Sequence, residues 1–216
     1  MRSLHFLSSL SLVLLACLGA ASMNAVEPTT SIPASASDAR PITIGTPAPL
    51  SVAVKLPDGS PTTLGTVIAG APTVVIFYRG GWCPFCTRHL AGLGAIVKDL
   101  SAAGWKILAL APDQPSVLKG VVDAGDGGVP RLSDADGNAM RAFGVAYHVD
   151  DATAEHMKEY KIDLTARSGN DHRWLPVPSV FMISADGIIR FVHANPDYKV
   201  RLDPQAILNI AKTTPH

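Results

Sequence analysis

The 216-residue sequence predicts an α/β protein built on a central mixed sheet with helices on both faces. Three features carry this expectation. Val74-Val75-Ile76-Phe77-Tyr78 is an unbroken apolar run, as a strand covered on both faces must be, and Lys106 to Ala111 reads as a second such strand. Between them Leu90, Leu93, Ile96, Val97 and Leu100 recur at helical spacing, and Gly104 closes that helix. Near the end, Val180 to Ile183 and Ile188 to His193 flank an Ala185-Asp186-Gly187 turn, giving a hairpin, and Pro204 to Lys212 follows as an amphipathic helix. The order β-α-β-α…β-β-α puts parallel strands first and an antiparallel pair last.

The chain opens differently. Met1-Arg2 gives a small positive start, Leu7 to Ala21 is apolar apart from serines, and small residues stand at Ala20, Ala21 and Ala25. The run is shorter than the roughly 20 apolar residues that span a bilayer, so residues 1–25 read as a secretory signal. Within it Leu14-Leu15-Ala16-Cys17 resembles a bacterial lipobox, which would put a lipid on Cys17 and attach the mature protein to a membrane. The other reading is that Cys17 is discarded with the signal. Both imply an exported protein, in a periplasmic or similar extracytoplasmic space where disulfides persist. Residues 26–41, rich in Pro, Ser, Thr and Ala, read as a flexible tether, and residues 42–214 as the folded domain.

The composition, 47% hydrophobic and 17% charged, leaves room for one sizeable core. Eighteen basic and eighteen acidic residues cancel, which gives no reason to expect nucleic acid as a partner. Turn-rich stretches at 44–49 and 56–60 flank Val52 to Leu56, an expected hairpin strand. Pro115 to Ala124 reads as a short helix, Leu132-Ser133-Asp134 as a strand end, and Ala139 to Phe143 and Thr153 to Lys161 as helical pieces.

Cys83 and Cys86 are the only cysteines beyond the signal, and they stand where the first central strand runs into its helix. Cys83 falls at the helix start, beside N–H groups without partners and the positive end of the helix dipole. A thiolate is favoured there, which can lower a thiol pKa from ~8.5 into the range ~3.5–7.5. Arg79, Arg88 and His89 are candidates to add positive charge. Cys86, one turn further in, is expected to be more shielded, so Cys83 is the expected nucleophile and exposed thiol, and Cys86 the resolving thiol. Zinc would need four ligands, and no second cysteine pair exists. Cu(I), which soft thiolates suit, is the competing reading: an exported Cu(I)-binding protein using the same thiolates without turnover. A purely structural bridge across so short a loop would remove little unfolded-state entropy.

Phe77-Tyr78-Arg79-Gly80-Gly81-Trp82-Cys83-Pro84-Phe85-Cys86 resembles the signature of peroxiredoxin-like proteins of the alkyl hydroperoxide reductase and thiol-specific antioxidant family. Gly45-Thr46-Pro47-Ala48-Pro49 resembles that family's opening segment, and Leu132-Ser133-Asp134 with Phe143-Gly144-Val145 is similar to its "LSD…YGV" stretch. Phe181-Met182-Ile183-Ser184-Ala185-Asp186-Gly187-Ile188-Ile189 resembles its "FxIDxxGxI" hairpin, with Ser184 in place of Asp. The resemblance implies a thioredoxin-like fold and a redox-active Cys83–Cys86 pair. Two departures matter. Gly80 stands where the family has Thr or Ser, and Pro178 where it has Arg, so two usual donors to a peroxide are missing. Arg79 is a substitute donor. Pro178 is also similar to the cis-proline that faces the C-x-x-C pair in thioredoxins, which would leave the Val177 backbone free to pair with a polypeptide substrate. Trp82 is similar to the Trp that precedes the thioredoxin nucleophile. His172 and His193 receive no role.

The sequence therefore predicts an exported antioxidant thiol oxidoreductase without a cofactor. Cys83 attacks a disulfide-bonded protein or a peroxide, Cys86 closes a disulfide with it, and an external thiol donor reopens that bond. Arg79, Trp82 and Pro178 are the expected substrate-positioning residues.

Overall fold

Strand β3 (Thr73–Phe77) lies mid-sheet and is buried at every residue, as its apolar run requires. The computed structural model describes residues 31–122 and 128–215. The expected signal, Cys17, the first part of the tether and the expected helix end at Ala124 lie outside these residues. β3 pairs in parallel with β4 (Lys106–Ala111), Phe77 standing opposite Leu110, and antiparallel with β8 (Ser179–Ile183), Phe77 standing opposite Ser179. Beyond β4 come β5 (Arg131–Ser133), β1 (Ala53–Lys55) and β2 (Pro61–Thr63), and beyond β8 comes β9 (Ile189–Ala194). The seven-stranded sheet is mixed, as expected.

Alternation along β3 divides the core between two faces. Val74 and Ile76 pack with Leu90, Leu93 and Leu100 of helix α2 (Pro84–Ala102) and Ile207 and Leu208 of α7 (Pro204–Thr213). Val75 and Phe77 pack with Leu64 and Ile68 of α1 (Leu64–Ile68) and Ala139 and Met140 of α4 (Asn138–Ala142). On that second face the Phe77, Phe143 and Phe181 rings meet at centroid distances of 5.0, 4.9 and 5.9 Å. Such tilted pairs add about 0.5–1.5 kcal/mol each beyond their burial. On the first face Trp105 donates its ring N–H to the Ala211 carbonyl at 3.0 Å, which holds α7 against the sheet.

Helices α3 (Pro115–Val122) and α5 (Asp151–Glu159) fall where the sequence places them. Not anticipated were a 3-10 turn at Ala36–Asp38, α1, α6 (Leu164–Ser168), and the separate ladder of β6 (Ala146–His148) with β7 (Trp174–Pro176). Helices of five residues and strands of three repeat no period long enough to read.

The expected tether also differs, because residues from Ile32 onward belong to the folded unit. Ile32, Ala36 and Ala39 pack against the Phe77 side of the core, and the Pro33 carbonyl accepts from the His148 N–H at 2.7 Å. Gly144, at φ +70°, lets the Arg40 backbone approach, and a Cβ there would run into the Arg40 carbonyl. A few small apolar side chains and two or three main-chain bonds suffice to dock a segment that composition alone reads as loose.

Candidate active site

The carboxyl end of β3 delivers Tyr78 through Trp82 to the start of α2, and Cys83 caps that helix in extended conformation (φ −88°, ψ 114°) with Pro84 at its first position. The Cys83 carbonyl accepts from the Cys86 and Thr87 N–H groups, both at 3.0 Å, and the Cys83 N–H donates to the Gly80 carbonyl at 3.2 Å. The loop is thus folded tightly onto itself before any side chain is considered.

Both cysteines are free thiols in the structure, and each is only 1% exposed. Cys83 is therefore not the exposed thiol that its place in the sequence predicts. Trp82 and Phe85 pack against the same cluster and cover it. The two sulfurs nevertheless differ in acidity. The Cys86 thiol donates to the Cys83 sulfur, and with the Cys86 N–H, Arg79 and Arg201 this overcomes burial and lowers the Cys83 pKa to about 5. The same hydrogen bond, with burial and the Cys83 charge, pushes Cys86 far above the ordinary thiol range, while Arg201 pulls the other way. One sulfur is a thiolate at neutral pH and its neighbour holds the proton.

Of the three positive candidates only Arg79 acts at the sulfurs. It is 9% exposed, and its guanidinium carbon lies 4.8 Å from the Trp82 ring centroid and 4.2 Å from that of Tyr198. Its Nε is buried without a hydrogen-bond partner. Arg88 is exposed and lies over the Phe85 ring instead. His89 is buried and meets the Leu202 carbonyl at 3.0 Å through Nε2. Burial, together with the Arg201 charge, lowers its pKa to about 4, so it is neutral and adds no positive charge. The expectation for His89 is corrected on that ground.

Sequence reasoning missed four residues here. Arg201, from the loop before α7, donates through Nη2 to Cys86 Sγ at 3.3 Å. Asp113, at the end of β4 and 1% exposed, accepts from the Gly81 N–H at 3.1 Å and from Arg167 Nε at 2.8 Å and Nη2 at 3.0 Å. Tyr147 of β6 lies near enough to Arg79 and both sulfurs to feel their charge, and burial raises its pKa. Asp113 carried one readable signal, its place at the carboxyl end of a parallel strand. Arg167 and Tyr147 sit on elements too short to anticipate, and Arg201 gave none.

The Pro178 region departs from the thioredoxin pattern. There is no cis peptide bond among the described residues, so Val177–Pro178 is trans. The Val177 N–H is not free, because it donates to the Val145 carbonyl at 2.8 Å, and Val177 is 2% exposed. β6 and its neighbours already occupy the backbone that a polypeptide would use. Pro178 itself lines a narrow crevice with Ser179, His89, His193 and Arg201. Trp82 lies against Gly80 and lines a second crevice with Arg79, Asp113, Arg167 and Trp174. Among the described residues, no three His, Cys, Asp or Glu side chains converge as a metal site.

A Mycobacterium tuberculosis protein named as a peroxiredoxin is 29% identical over 100 residues, which cover 46% of this chain and 64% of that protein. The match thus spans less than two thirds of that relative. Among solved structures the chain is similar to peroxidoxin BcpB of Mycobacterium tuberculosis, with a TM-score of 0.60 at 17% identity over 80% of this chain and 95% of that one. It is similar to peroxiredoxin Q of Xanthomonas campestris, with a TM-score of 0.58 at 23% identity over 76% of this chain and 91% of that one. It is also similar to reduced Prx3 of Vibrio vulnificus, solved in complex with hydrogen peroxide, with a TM-score of 0.64 at 16% identity over 79% of this chain and 99% of that one. At these identities the likeness is one of fold, and the Cu(I)-binding alternative finds no support in it. The model described as "AhpC/TSA family" matches residues 44–192, a span holding both cysteines and eight of the strands entire, and on that match this chain belongs to the AhpC/TSA family.

Proposed function

We propose that this chain is a peroxide-reducing member of its family, with Cys83 as the peroxidatic thiolate and Cys86 as the resolving thiol. One observation carries the reading. A cysteine held as thiolate by a neighbouring thiol and two guanidinium groups is only 1% exposed, which favours a small substrate over a polypeptide. Cys83 sulfur attacks the terminal oxygen of a hydroperoxide, the O–O bond breaks, and the alcohol or water leaves after taking one proton. Cys83 is then a sulfenic acid. Cys86 gives up its proton and attacks that sulfur, hydroxide leaves as water, and a Cys83–Cys86 disulfide remains. An external thiol donor returns two electrons and reopens it.

Arg79 is the donor best placed to stabilise charge on the departing oxygen, in place of the Thr and Arg that Gly80 and Pro178 replace. Trp82 fixes Arg79 and closes the site. Pro178 contributes shape to the crevice that Arg201 also lines. The buried thiols and the occupied Val177 N–H weigh against a polypeptide disulfide as substrate.

The test is peroxide consumption with dithiothreitol as donor. Wild type should turn over, Cys83→Ser should not react, and Cys86→Ser should consume one equivalent and stop at a sulfenic acid that a dimedone probe captures. Loss of no thiols to hydrogen peroxide or to an alkyl hydroperoxide, beside ready reduction of a disulfide-bonded protein, would hand the site to thiol–disulfide exchange. Residues 1–25 are read as an export signal with Cys17 the lipid acceptor or discarded. The intact mass of the mature protein from a bacterial envelope fraction decides between them.

A further inference from the structure

Arg201 reaches the site from the far end of the chain, and its contact is with the second sulfur. Its Nη2 lies 3.3 Å from Cys86 Sγ, 115 residues away in sequence, and its Nη1 is tied to the Val200 carbonyl at 2.9 Å. The next residue, Leu202, is held by His89 of α2, so the loop that carries Arg201 is pinned to the helix that carries Cys86. Arg201 makes no ion pair among the described residues. A guanidinium donating to a buried thiol gains most when that thiol becomes a thiolate.

We propose that Arg201 is the catalytic residue of the resolving step, stabilising the Cys86 thiolate as it attacks oxidised Cys83. The inference rests on the peroxide reading above. In the reduced state Cys86 keeps its proton because that proton serves the Cys83 thiolate. Once Cys83 has become a sulfenic acid, its negative charge is gone and the reason to hold that proton goes with it. Cys86 then releases the proton, Arg201 bears the resulting charge, the new S–S bond forms, and hydroxide leaves the sulfenic acid to become water. Arg201 thus acts at both sulfurs: with Arg79 it favours the Cys83 thiolate before peroxide attack, and its direct contact with Cys86 serves the closure of the disulfide.

The other titratable and charged groups around Cys86 are Cys83 and His89 of α2, Tyr78 and Arg79 at the end of β3, and Tyr147 of β6. His89 is neutral above about pH 4, burial keeps Tyr78 and Tyr147 protonated, and Arg79 reaches Cys86 through its backbone, so between pH 5 and pH 8 Arg201 is the side chain whose charge meets one on Cys86.

Rapid mixing of the reduced full chain with hydrogen peroxide, followed by tryptophan fluorescence and dimedone trapping, separates sulfenic acid formation from disulfide closure. Arg201→Met should slow closure about tenfold or more at pH 7, moving the midpoint of its pH profile up by about one unit, since one pKa unit is tenfold in thiolate fraction. Sulfenic acid formation at pH 7 should slow far less than closure, because Cys83 keeps Arg79 and the Cys86 hydrogen bond, and Arg201→Lys should recover part of the closure rate. Equal closure rates in wild type and Arg201→Met would overturn the proposal, as would slowing of both phases alike. A separate arm uses Cys83→Ser and the double variant Cys83→Ser/Arg201→Met, with the Cys86 thiolate titrated by its ultraviolet absorbance. The double variant should titrate at higher pH. Coincident titrations would refute the role of Arg201 even if peroxide were not the substrate, and a shift without any reaction of wild type with peroxide would reject the peroxide reading and the resolving step with it.

Discussion

The Trp82 indole occupies the space that a side chain on Gly80 would need. A Cβ at Gly80 would lie 2.8 Å from Trp82 Cδ1 and 3.1 Å from the Asp113 carboxylate, and the backbone there has φ +141°, a region L side chains rarely adopt. The missing Thr is therefore not a simple deletion. The ring that covers Arg79 and the hydroxyl that would polarise a peroxide compete for one place, and this chain holds the ring.

Gly80→Thr is accordingly expected to damage the site rather than repair it. Backbone strain of about 1–3 kcal/mol adds to displacement of the indole. Denaturant unfolding should show a loss of that size, with lower peroxide reactivity. A Gly80→Thr variant as stable as wild type and faster with peroxide would show that the loop relaxes freely.

Replacing Arg79 with Met should cut the rate of Cys83 oxidation by about 10²-fold, the usual loss for one preorganised donor. It should also raise the Cys83 pKa, because Arg79 is one of the charges that lower it. The pH dependence of oxidation in wild type should rise through about pH 5 and then level, since the thiolate is the reactive form. An Arg79→Met curve that coincides with wild type would remove Arg79 from the mechanism.

Asp113→Ala should cost about 3 kcal/mol, because it strands the Arg167 guanidinium half-buried and frees the Gly81 N–H. Arg167→Ala should cost nearly as much, and the two losses should not add, as expected for one pair. Additive losses in the double variant would mean that the two residues do not act together.

His89 makes the domain acid-sensitive. Its folded pKa of about 4 lies below the ordinary 6.5, so between these values the unfolded chain binds more protons than the folded one. Its contribution is complete above pH 6.5 and is lost as pH falls through about 4, up to about 3 kcal/mol in all. Urea midpoints should fall over that window in wild type and fall less in His89→Gln, which keeps a donor for the Leu202 carbonyl. Parallel curves would exclude His89 as the titrating group.

The central sheet was legible because β3 and β4 are apolar at nearly every position, and a strand buried on both faces leaves that mark. The place of Cys83 and Cys86 at the strand-to-helix junction was legible because the apolar run and the helical spacing flank them, whereas the charges that set their acidity come partly from Arg201, far along the chain. The expectation of a free Val177 backbone failed because Val145, on a three-residue strand's border, already takes its N–H. Arg167 and Arg201 were invisible for a related reason. Their importance arises from which residues the folded chain brings beside them, and neither has a periodic or motif context of its own.

Those distant partners have a consequence for the chain before it is folded. Cys83 is acidic because Cys86, Arg79 and Arg201 surround it, and its loop is held by Asp113, itself paired with a residue 54 positions further along. Without the finished fold both thiols revert to a pKa of ~8.5 and are almost wholly protonated near neutrality. A newly made chain is thus chemically quiet toward oxidants. Its reactivity switches on only when residues from both ends of the domain have met, so the acidity of Cys83 is itself a report that folding is complete.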